Sequence, residues 1–185
     1  MRTFHTPLFF IFLWMVFGCG SQKQTVPSAT QVEALNAIVK DRAFVIDITV
    51  ARPLATGAVS RIANSGLLPP GSNVSRIDLT GMSSYLRVTN DSVFAEIPYY
   101  GERQLPTTYN ANNTGVRFKN VPEDFEIAQN NRNQGYTVRF NVGNGTETFA
   151  VIAEIFPDLS STVNVNSSHR TPIWYSGEVE KLTME

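Results

Sequence analysis

At 185 residues, with 42% hydrophobic residues and a formal charge of −1, the chain has material for one ordinary globular core. Arg2 is the only charged residue before Cys19, so the remainder of the chain carries 14 basic against 16 acidic groups, a balance of −2. The Lys and Arg residues are scattered singly, which leaves no basic stripe for a nucleic acid and reads as a solvated surface.

The chain opens as an export segment. Arg2 supplies a positive start, residues 8–17 are an unbroken run of ten apolar residues, and Gly18 is the small residue before a cleavage point. Ten residues are too few to span a bilayer as a stable helix. The last four positions, Val16, Phe17, Gly18 and Cys19, resemble the bacterial lipobox, although Phe17 departs from its usual small or aliphatic residue. The resemblance implies a diacylglyceryl thioether on Cys19, cleavage in front of it and acylation of the new amine. Several acyl chains anchor far more firmly than one. Cys19 is the only cysteine, so no disulfide forms and the exported domain must be stable by packing. Gly20 stands at the position where lipoproteins retained in the inner membrane of enteric bacteria carry Asp, and by that resemblance the outer membrane is favoured. Residues 20–24 also lack an acidic surface-export cluster, so a periplasm-facing orientation is preferred over the cell surface.

The expected organisation is a signal peptide at 1–18, a lipidated cysteine with a polar tether at 19–29, and one β-rich domain at 30–185. Thr30 is placed to cap a helix whose Val32, Leu35, Ile38 and Val39 share one face. Glu33, Asn36 and Asp41 dilute any basic polar face, so this helix packs on its own domain rather than on a membrane surface.

The period then changes to two. Phe44, Ile46, Ile48 and Val50 alternate with Asp47 and Thr49 up to Pro53, and residues 54–72 form a long loop rich in Gly, Ser and Pro. Strands resume at 76–79, 85–89 and 93–99, the last two joined at Asn90 and Asp91 as a hairpin. A second polar loop at 101–113 precedes short strands at 116–118 and 125–128. Tyr136, Val138, Phe140 and Val142 lead into Asn144 and Gly145, the strongest hairpin turn in the chain. Phe149 to Ile155, Val163 with Val165, and 173–179 complete a meander of four strands.

About nine or ten strands joined mostly by short turns point to a mainly β fold, first an antiparallel up-and-down barrel, lipocalin-like, with one N-terminal helix. A two-sheet sandwich is the alternative, because strand count does not separate the two. Short strands carrying Glu or Arg on the polar face argue against a lipid-facing barrel.

Several segments together resemble an uncharacterised family of small lipoproteins from Gram-negative anaerobes, known mainly as a domain of unknown function. They are FVIDITVARPL (44–54), YLRVTNDSVFAEIPYYG (85–101), YTVRFNV (136–142), TFAVIAEIFP (148–157) and IWYSGEVEKL (173–182). The resemblance implies lipidation and a β-rich fold, and brings no activity, cofactor or catalytic residue.

Chemistry has few carriers in this chain. After Cys19 only His169 remains, within NSSHRTP, so there is no nitrogen and sulfur set for zinc. Ser167 and Ser168 stand beside it, but neighbours on one turn rarely meet in triad geometry, and a solvated turn histidine is expected. Glu96, Glu147, Glu154, Glu178 and Glu180 are placed on polar strand faces, and only convergence inside a polar barrel would make an acid/base pair. No catalytic residue, metal or cofactor is therefore assigned.

Asn-X-Ser/Thr occurs at Asn73, Asn90, Asn112, Asn144 and Asn166, which turn-forming asparagine explains. Asp91-Ser92-Val93 resembles a three-residue O-glycosylation signal of some anaerobic Gram-negative bacteria, making Ser92 a candidate modification site. EIPYYGERQLP places Pro98 at a strand end and two amphipathic rings after it, so Tyr99, Tyr100 and Tyr109 are candidate ligand-stacking residues at a barrel mouth. A rim that covers the core is the competing expectation. The functional expectation is a non-enzymatic, outer-membrane-anchored, periplasm-facing lipoprotein that binds a small or extended ligand. The alternative is an interaction or assembly protein presenting an external face to an envelope partner, and an enclosed apolar cavity would decide for the first.

Overall fold

The computed structural model describes residues 27–105 and 114–182. Helix α1 (Ala29–Lys40) starts two residues earlier than Thr30 would place its cap. Ser28 is the N-cap, and it exchanges hydrogen bonds with Gln31 in a capping box that satisfies two orphan donors at once. Leu35 and Val39 are its buried residues.

Among the described residues ten strands come after it: β1 (Ala43–Pro53), β2 (Ile77–Asp78), β3 (Tyr85–Thr89), β4 (Ser92–Ile97), β5 (Val116–Asn120), β6 (Glu123–Asn130), β7 (Gly135–Asn144), β8 (Glu147–Ile155), β9 (Ser160–Ser167) and β10 (Ile173–Lys181). The expected loop at 54–72 is broken by a second helix, α2 (Gly57–Asn64). Thr56 caps it by accepting from Val59 N, and Val59 is its one buried residue.

All strands belong to one antiparallel sheet in the order β5-β4-β3-β1-β10-β9-β8-β7-β6, with β2 paired to the far half of β1. The sheet curls into a half-barrel, mainly β and up-and-down, behind the N-terminal helix. Parity explains why it stays open. Along this path each strand runs opposite to its neighbour, so β5 and β6 come out pointing the same way. Val121 and Pro122 alone join them, and a parallel crossover needs about a dozen residues. The seam is bridged by side chains instead: Asn144 Nδ2 donates to Arg117 O at 2.6 Å and Asn120 Nδ2 to Gly143 O at 3.4 Å. Edge strand β6 is made unattractive to other strands by Pro122, by exposed Glu123, Asp124 and Glu126, and by a bulge at Asp124, whose φ is 52°.

The inner face is mainly apolar. Phe44, Ile46 and Ile48 of β1, Leu86 and Val88 of β3, Phe140 of β7, Phe149 of β8 and Tyr175 of β10 meet Leu35 and Val39 of α1 in one cluster. Phe118 lies edge-on to Phe140 with centroids 6.1 Å apart, while Phe125 stacks on Phe140 at 6.0 Å. Such pairs add about 0.5–1.5 kcal/mol to the area each ring buries. Asn36 of α1 accepts from the Tyr136 hydroxyl at 2.8 Å and fixes the helix over the curl. Gly177 lets β1 and β10 approach at the bulge between Ile48 and Val50, since any Cβ there would collide with the Asp47 carbonyl.

Candidate functional site

The most elaborate polar arrangement lies where β4 leaves the sheet. Pro98 has no N–H to continue the ladder, and its carbonyl accepts from the buried Tyr175 hydroxyl at 3.0 Å. From there residues 98–105 run to the turn between β9 and β10. Thr171 N donates to Glu102 O at 2.9 Å, Gln104 N donates to His169 O at 2.7 Å, and Arg103 and Arg170 form an isolated bridge. In the sheet, β3 and β1 separate β4 from β10, so this strap crosses the end of the curl.

A buried ion pair fastens it. Arg170 is 2% exposed and grips Glu147 with both sides of its fork, Nε to Oε1 at 2.6 Å and Nη2 to Oε2 at 2.9 Å. Its Nη1 donates to Gly115 O at 2.8 Å, which ties in the start of β5. Ser167 Oγ also donates to Glu147 Oε1, and Arg103 Nη1 lies 3.8 Å from Oε2. The Arg170 guanidinium sits 5.1 Å from the Tyr99 ring centre and 5.8 Å from that of Phe149. The Tyr99 hydroxyl lies within 3.0 Å of the Glu102 carbonyl and 2.9 Å of the Thr171 carbonyl and hydroxyl. Gly101 is needed there, because a Cβ would strike that hydroxyl.

Burial alone would push the Glu147 carboxyl up. Hydrogen bonds from Arg170 and Ser167, with the charges of Arg170 and Arg103, outweigh it and hold the group below its ordinary value of 4.5. Burial raises Tyr99 and Tyr100, and raises Tyr175 strongly, with the neighbouring Tyr99 adding to the last. Near neutral pH the carboxylate is thus charged with both oxygens engaged, and the phenols keep their protons. That is the chemistry of a latch.

The structure changes several expectations about individual residues. Tyr99 belongs to the latch, and Tyr100 packs against the core; both are half-buried. Tyr109 and Cys19 lie outside the described residues. Glu147 was expected on a polar strand face and is instead 4% exposed on the inner one, because the first residue of β8 shares its phase with Phe149 and Val151. Exposed Glu96, Glu154, Glu178 and Glu180 do lie on outer faces. Ser168 Oγ and His169 Nδ1 meet at 2.7 Å despite being neighbours in sequence; Ser168 Oγ also accepts from Thr148 N, which makes the contact part of the turn.

Ser92 opens β4 at the hairpin tip beyond Asn90, whose φ is 46°, and its hydroxyl donates to Asp91 Oδ1 at 3.0 Å. It borders a 240 Å³ recess with Arg42, which stacks 5.5 Å over Phe125. A second recess, of 310 Å³, lies on the outer side of β6 and β7. Among the described residues no cluster of three or more His, Cys, Asp or Glu could hold a metal ion. No described helix is long and apolar enough to cross a membrane.

With the geometry in place, comparison with known proteins is informative about kinship. The model of the domain of unknown function DUF4251 matches residues 27–179. The chain belongs to this family. A crystal structure of a DUF4251 family protein from Bacteroides eggerthii is similar over 83% of this chain and 89% of that one, at 12% identity and a TM-score of 0.54. At that identity the likeness concerns the fold. No curated protein matches the chain. The DUF4251 description assigns no reaction, so the family supplies no catalytic evidence.

Proposed function

We propose that this DUF4251 chain is a non-enzymatic cell-envelope lipoprotein, anchored in the outer membrane through Cys19 and facing the periplasm, whose domain works through its outer surface. One observation carries the choice of surface over interior. The curl is occupied by a continuous apolar cluster, α1 lies over it, and the Glu147–Arg170 latch pins the strap across its end. A ligand in a barrel mouth would have to displace Tyr99 from three partners at about 3 Å. The lipobox-like sequence before Cys19 supports the anchor, and the missing Asp after it supports the outer membrane.

Two measurements test the reading. The full chain should fractionate with outer membranes and carry acyl chains on Cys19 by mass spectrometry, whereas Cys19→Ser should be soluble or retained as precursor. A titration of the purified chain with a fluorescent long-chain fatty acid should give no saturable signal. Saturable binding that Tyr100→Ala abolishes would return the function to the interior.

A further inference from the structure

We draw no further inference here: the strongest candidate, the outer sheet face of β6 to β10 with Trp174 38% exposed near one end and a 310 Å³ recess at the other, carries nothing, because nothing in the structure shows what covers it.

Discussion

Two cross-strand regions of this protein use a Glu/Arg pair to opposite ends. Glu147 and Arg170 are buried, doubly hydrogen-bonded and surrounded by Tyr99, Phe149 and Ser167, so that they have the look of an active site. Glu126 and Arg139 face each other on the outer surface beside a shallow recess and have the look of ordinary solvated side chains. The difference is what remains available. Every polar atom of Glu147 is engaged by the protein itself, whereas Glu126, Arg139 and Trp174 stand exposed in a row. Polar elaboration marks where the fold is fastened.

The comparison is broken most sharply from the buried side. Arg170→Met should cost about 3–5 kcal/mol in denaturant unfolding, because it leaves Glu147 charged in a site closed to water. Much of that loss should return in the double variant Glu147→Leu with Arg170→Met, which removes both charges. Gly177→Ala should cost about 1–3 kcal/mol through its collision with the Asp47 carbonyl.

Acid tests the same latch. The folded-state pKa of Glu147 is depressed, so its stabilisation is complete above the ordinary value of 4.5 and is lost as pH falls through the lower folded-state value. Stability should therefore drop below about pH 4.5 in the parent, and less steeply in Glu147→Gln. Tyr99→Phe should cost about 1 kcal/mol, since it removes one hydroxyl and leaves the stacking on Arg170. The smallest effect is expected on the other side of the comparison: Trp174→Ala, at a position 38% exposed, should change stability by less than about 1 kcal/mol.

Much of this was legible in residue order. Period-two alternation marked the strands, and Asn144 and Gly145 marked a hairpin that the structure contains. The inward turn of Glu147 was also written there, since it shares parity with Phe149, Val151, Ala153 and Ile155; reading Glu as polar hid that phase. Arg170 was not legible, because its role depends on a strap from 98–105 that arrives from across the sheet. The α1 start was misplaced because Ser28 and Thr30 both suit a cap, and only Gln31 at N3 completes a box with Ser28. The open seam comes from strand parity, which a strand count without pairing does not reveal. The outer row is likewise a product of register: Glu126, Arg139, Ile152, Asn164 and Trp174 are far apart in sequence and adjacent only once the ladders form.

The most direct test places a diazirine photo-crosslinking amino acid in intact cells at position 174 in one strain and at position 100 in another. The account expects light-dependent adducts from position 174 and none from position 100, where Tyr100 packs against the core. Adducts from position 100 with none from position 174 would contradict it.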